Sequence, residues 1–214
     1  MTRNTLRIPL LFLVIFCFGI LSMGYQQVAS RVLAPFFGSD YIVWSVLIST
    51  FLAAFTAGSF LGGWVSGFAR RRRSIAVGII GGVATLSLLL GELGRRAILG
   101  ALEQQFDSVI VALILGCLLL FAPPVITLSS ITPVAIELLA QCGVPSGKAA
   151  GRLYGVSTVG NIFGVFITAL YLIPNFPMPA ILFGWTATAA IFFGAFTFLM
   201  HRSWPDSSSS SPSS

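Results

Sequence analysis

One histidine, six carboxylates and three cysteines are all that this chain of 214 residues offers to catalysis or metal binding. His201 follows the last apolar run, which leaves no imidazole inside those runs for nucleophilic or metal chemistry. Of the acids Asp40, Glu92, Glu103, Asp107, Glu137 and Asp206, only Glu137 stands in an apolar context, and no two are spaced as a general acid and base. Cys17, Cys117 and Cys142 form no C-x-x-C pair and read as small apolar side chains, with no disulfide or metal implied. The glycines of "VGIIGGVA" lack the following acidic residue and the alternating strand and helix of a dinucleotide pocket. No self-contained enzyme, cofactor or metal site is expected.

What is abundant is apolar surface. Hydrophobic residues make up 56% of the chain and charged ones 8%, and the mean hydropathy of +0.95 lies far above what a soluble domain needs. Six runs approach the roughly 20 residues that cross a bilayer: Ile8–Ala29, Tyr41–Phe68, Ser74–Leu90, Ser108–Ser129, Leu153–Pro174 and Ala180–Met200. They are apolar on every side and too long for barrel strands, so an all-α integral membrane protein with six transmembrane helices is expected over residues 1–203. The remainder, 204–214, is a serine-rich tail too polar to pack, expected to be disordered.

The net charge of +6 matters by its placement, which points to a membrane rather than to nucleic acid. If all six segments cross, Arg3, Arg7, Arg70–Arg73, Lys148, Arg152 and Arg202 fall on one side, and Arg31, Arg95 and Arg96 on the other. Such asymmetry predicts cytoplasmic termini and a cytoplasmic arginine run that anchors the topology, in a bacterial inner (plasma) membrane. The first apolar run imitates a signal peptide, but it is longer than such a segment and has no small-x-small cleavage site, so it reads as a retained helix.

Within the spans, small and polar residues carry the pattern. Ala54, Gly58, Gly62 and Ser66 recur every four residues in the second, and Gly151 and Gly155, then Gly160, Gly164 and Thr168, repeat the device in the fifth. Such stripes let helix backbones approach closely, either as ordinary packing or as a moving interface. The fourth span carries Pro123, Pro124 and Pro133 and should kink or partly unwind, with Thr127, Ser129, Ser130 and Thr132 available to satisfy the freed backbone. Asn161 and Gln26 are expected to bond between helices. Arg31 and Arg152 are placed to snorkel at opposite faces, and their loosely similar surroundings could mark two halves of a 3+3 repeat.

Two segments then carry a family resemblance. "VASRVLAPFFGSDYIVWSVLISTFLAAFTAGSFLGGWVSG" and "SSITPVAIELLAQCGVPSGKAAGRLYGVSTVGNIFGVFITALYLIP" resemble, in order and spacing, the membrane region of the fused MFS/spermidine synthase family, and together cover about half the chain. The resemblance implies half of a major facilitator, a six-helix bundle, and "GGWVSGFARRRR" is similar to the cytoplasmic loop of those transporters without its usual aspartate. Relatives usually carry a soluble aminopropyltransferase-like domain after the helices. This sequence shows none, so no synthase activity is carried over. Gln26 stands where the family commonly has Glu, and an amide cannot attract an ammonium group by charge.

These readings converge on a transporter-like protein that binds or moves polyamines or related small cationic solutes, with Gln26, Arg31, Trp44, Glu137, Arg152, Tyr154 and Asn161 as candidate binding residues. Glu137 is the main electrostatic candidate, because a polycation in low dielectric needs negative charge. Half a facilitator encloses no complete path, so a second copy or another protein would complete it. Between the first two spans, Pro35 and Gly38 should end the first helix, Asp40 should cap the second, and Tyr41 and Trp44 should sit in the interfacial belt. That loop is either an anchored hairpin or a gating element. The competing function is a non-transporting scaffold or anchor for a separately encoded partner, suited by the basic loop.

Overall fold

The computed structural model describes residues 2–203, and the expected disordered tail lies outside them. Every regular element among the described residues is helical: α1 (Thr2–Phe37), α2 (Tyr41–Ser66), α3 (Arg70–Gln105), α4 (Val109–Leu120), α5 (Ala122–Ser129), α6 (Ile131–Gln141), α7 (Ser146–Ile167), a π turn (Thr168–Leu172), α8 (Ile173–Asn175) and α9 (Met178–Ser203). Six stretches are long and apolar enough to cross a bilayer: Ile8–Phe37, Tyr41–Ser66, Arg70–Gln105, Ala122–Gln141, Ser146–Asn175 and Met178–Met200.

Several boundaries differ from those read in the sequence. The first span runs past Ala29, and Pro35 does not end it. Pro35 removes the donor that the Arg31 carbonyl would accept, but its fixed φ suits a helix, which continues to Phe37. Gly38 ends it, with φ at 79° and its N–H donating to the Ala34 carbonyl at 3.0 Å. Asp40 caps α2 as expected, accepting the Val43 N–H at 3.0 Å. The third helix extends from Arg70 through Glu92, Arg95 and Arg96 to Gln105, because no proline interrupts it.

The fourth span does not stop at Ser129. It continues to Gln141 and breaks at Phe121 and Ser130. Each break lies just ahead of the prolines, since Pro123 and Pro124 occupy the first turn of α5 and Pro133 that of α6, where the missing N–H costs least. Local hydroxyls cover the break: Thr127 donates to the Pro124 carbonyl at 2.7 Å, and Ser130 to the Thr127 carbonyl at 2.7 Å. The fifth span starts earlier, at Ser146, and widens into the π turn before Pro174, where the Ile173 N–H reaches the Thr168 carbonyl.

Packing is dominated by α1 against α7, α2 against the α4–α6 span, and α3 against α9. Exchanging the first three spans for the last three maps the first pair onto the second and the third onto itself. The relation holds residue by residue under a shift of 106, the separation of Ile20 and Ile126. A Cβ on Gly164 would strike the Ile20 carbonyl, and one on Gly58 the Ile126 carbonyl. One turn on, Gly62 abuts the Ser130 carbonyl, and a Cβ on Gly24 would lie 2.6 Å from Thr168 Oγ1. Gly160 completes the α1–α7 seam against the Phe16 carbonyl.

Burial follows the same shift. Val28, Ala29, Val32 and Leu33 are buried, and so are Val134, Ala135, Leu138 and Leu139. In the α3–α9 pair the register slips by two residues, with buried Arg73, Ser74 and Val77 answering buried Ile181, Leu182 and Trp185. Each half contains three spans, so the halves run in opposite directions if all six cross. Arg31 falls on Glu137 under this shift, whereas Arg152 falls on Val46, so the pairing of Arg31 with Arg152 as repeat markers is corrected.

Candidate functional site

The residues singled out from the sequence separate into three levels of the bundle. At the end holding the α1–α2 turn, a cleft of about 390 Å³ opens between α2 and the π turn with α8, floored by α1. Its floor is Gln27, Ser30, Arg31 and Ala34. Ser39, Val43 and Trp44 form one wall, and Ala169 and Ile173 the other. Arg31 and Trp44 thus line one cleft. The polar floor residue beside them is Gln27 rather than Gln26, because Gln27 is one turn from Ser30 and Arg31 on the same face. Ser30 donates to the Gln27 carbonyl at 2.8 Å, which holds its hydroxyl against the helix.

Near mid-length, buried Tyr25 packs its ring edge-on against Phe121, with centroids 5.7 Å apart, and tilted against Phe51 at 6.3 Å. Its hydroxyl donates to the Leu120 carbonyl at 3.4 Å. Pro124 is the residue whose N–H would otherwise serve that carbonyl, so the tyrosine of one half attends to the helix break of the other. Next to it lies Gly91, where a Cβ would be 3.9 Å from the Tyr25 hydroxyl. Glu92 follows, with its side chain 6% exposed and paired with Arg95 at 3.0 Å.

Glu92 lies beyond the Ser74–Leu90 run that the sequence gives as the third span, and does not stand out there as a site residue. The signal that could have found it is the uninterrupted helix-forming run "LLLGELGRRAILGALEQQ". The pair is not aligned as a hydrogen bond, and an ion pair this buried carries a desolvation cost that a purely structural residue would not need.

At the basic end, Glu137 takes part in a network away from the cleft. Gln141 donates to its carboxylate at 2.9 Å and receives Arg73 at 3.1 Å, while Arg73 also reaches the Ser66 carbonyl at 3.3 Å. Arg73 is buried at 3% exposure, so the last arginine of the run packs inside the bundle while Arg71 and Arg72 stay exposed. Arg152 and Tyr154 are exposed on α7, and Gly155 faces open space, with no helix of this chain packed on it. Asn161 lies in the α1–α7 seam, where a Cβ on Gly19 would lie 3.2 Å from its Oδ1. That oxygen has no hydrogen-bond partner among the described residues, unlike the interhelical bond expected of it. Glu137, Arg152, Tyr154 and Asn161 are therefore not gathered with Arg31 and Trp44.

The outer faces differ. Exposed α3 and α9 present Ile79, Val83, Leu86, Ile191 and Phe198, and the groove between them is apolar apart from Thr85 and Thr197. Exposed α2 and α7 mix Ser45, Ser49, Thr56, Gly151, Gly155 and Thr158 with large apolar side chains, among them Leu52, Phe60, Trp64, Phe163 and Phe166. No family model, no curated protein and no solved structure matches this chain.

Proposed function

We propose that this chain is a transporter-like membrane protein, a half-facilitator bundle related to the membrane region of spermidine synthase-like proteins, that binds a small solute in the Arg31–Trp44 cleft. The observation that carries this reading is the inverted repeat, with interruptions in the fourth and fifth spans. Discontinuous helices at a repeat interface are where secondary transporters hold their solutes. The clustering of Arg70–Arg73, Lys148 and Arg152 at one end supports cytoplasmic termini in a bacterial inner membrane and an outward-facing cleft.

A second copy completes the path through the α2–α7 face. The two helices exchange under the repeat, which makes that face quasi-self-complementary, as a two-fold contact requires. Its serines, threonines and glycines suit close helix contact between its exposed apolar side chains. For polyamines in particular, the carboxylates on the bundle's buried and half-buried faces already have partners, Arg95 for Glu92 and Gln141 for Glu137.

The test is uptake into proteoliposomes of a radiolabelled panel containing putrescine, spermidine, amino acids and small carboxylates, with Arg31→Gln and Glu137→Gln as variants. Saturable uptake lost in Arg31→Gln is the expected result. No uptake of any solute, together with a co-purifying protein, would replace this reading by that of a scaffold.

A further inference from the structure

The geometry points to the Arg31–Trp44 cleft as a site for an oxyanion, a carboxylate or phosphate group carried on a small apolar body. This rests on the solute-binding reading above and names the chemistry of its ligand. Three residues with N–H-bearing side chains, Arg31, Trp44 and Gln27, line it, and no acid does.

The guanidinium has no ion pair or hydrogen bond among the described residues. Asp40, the nearest acid along the chain, accepts the Val43 N–H through one carboxylate oxygen at the start of α2 and does not line the cleft. Arg31 is exposed at the mouth of the cleft, and an oxyanion entering there can use the planar donor fork of arginine. A polycation would meet the opposite field. Ala169 and Ile173 give the facing wall its apolar character, and about 390 Å³ is room for a small molecule's body beside its charged head.

The same donors would accept a soluble carboxylate or phosphate, or the phosphate of a lipid headgroup. Full-length protein in phosphatidylcholine nanodiscs would be titrated with succinate, inorganic phosphate and spermidine at fixed ionic strength. Native mass spectrometry of protein from phosphatidylglycerol-containing discs would report retained lipid.

The expected result is binding of succinate or phosphate that falls roughly tenfold or more in Arg31→Gln, as for a lost charge-assisted bond. Arg31→Lys should fall between, since an ammonium keeps the charge and loses the fork. Trp44→Phe, which keeps the ring and removes the indole N–H, should lose less. An unchanged unliganded Tm shows that each variant folds. Arg31-dependent retention of phosphatidylglycerol, without response to soluble anions, would support the oxyanion site and assign it to lipid. Binding of none of these anions, or anion binding unchanged by Arg31→Gln, would overturn the inference. Saturable spermidine uptake alongside that result would leave the carrier reading standing. Arg31-dependent anion binding with no uptake of any solute would do the reverse.

Discussion

The first and fourth spans are the same helix built twice, once whole and once broken. Their buried faces superpose under the shift of 106 residues, from Val28 and Val134 to Leu33 and Leu139, and each is crossed by a small-residue stripe of the partner half. Yet α1 runs unbroken from Thr2 to Phe37, while its counterpart is three short helices. Where the fourth span has Pro123, Pro124 and Pro133, the first has Cys17, Phe18 and Gln27, all with backbone N–H groups. Burial pattern therefore decides where a helix packs, and prolines at mid-span separately interrupt its backbone, whereas Pro9 and Pro35 near the ends of α1 do not. A pair of helices can share the first property and differ in the second, which gives one half of the bundle a rigid strut and the other a jointed one.

The strongest way to break the equivalence is to fill its seams. Gly58→Leu and Gly164→Leu each drive a side chain into a carbonyl of the facing helix, at Ile126 and Ile20, where no flexible group can yield. Both should cost upwards of ~3 kcal/mol, the severe end of overpacking, and appear as loss of folded protein in detergent. Gly155→Leu, on the same helix as the seam but facing open space, should leave the monomer's Tm unchanged. If a second copy docks on the α2–α7 face, the same change should weaken the dimer in light scattering. A folded Gly58→Leu beside an unfolded Gly164→Leu would show that the two seams are not equivalent.

The buried pair of α3 sharpens the comparison at the next level, because the equivalent helix α9 carries no acid facing it. Arg95→Leu removes the closest counter-charge of Glu92, 6% exposed, leaves Arg96 as its remaining neighbouring cation, and should destabilise by up to ~3 kcal/mol. Glu92→Leu should cost less, since Arg95 is the more exposed partner at 14% and its long stem can reach water. The double variant Glu92→Leu with Arg95→Leu should recover most of the loss. Denaturation midpoints of the four proteins would test this. No recovery in the double variant would mean that the pair also holds something besides itself.

How much of this was legible in the sequence depends on what kind of signal was needed. Six apolar runs and the Ala54–Gly58–Gly62 stripe follow from periodicity alone, and both survive in the fold. Gly160 and Gly164 pack as read, whereas Gly155 does not, because spacing places residues on a face without saying whether a neighbour meets it. The extent of α3 was lost because charge was taken to mark a loop, although a glutamate three residues before an arginine neutralises locally and lets a helix continue through. The cleft joins residues from α1, α2, the π turn and α8, so Arg31 and Trp44 could be suspected from their loop while their apolar facing wall could not. The repeat was sought in two similar arginines. It lies instead in burial and in glycines, which are too common in apolar sequence to stand out until their partners are seen.

The smallest expected effect addresses the joint itself. Tyr25 donates to the Leu120 carbonyl, which Pro124 leaves without a backbone donor. At 3.4 Å the bond is long, so Tyr25→Phe should cost about 0.5–1 kcal/mol, at the low end for a buried hydrogen bond, while keeping the ring contacts with Phe51 and Phe121. Pro124→Ala supplies the missing N–H and allows the fourth span to close over the break, as α1 does at Phe18. If the hydroxyl serves only to cover that carbonyl, Tyr25→Phe should cost close to nothing in the Pro124→Ala background, and the double-mutant cycle should return a coupling of similar size to the single loss. Additive losses would mean that the tyrosine holds the bundle by its ring, and that the hydroxyl faces Leu120 without stabilising the break. At this first break the comparison of the two spans then turns on the amide hydrogen that α1 has at Phe18 and its counterpart lacks at Pro124.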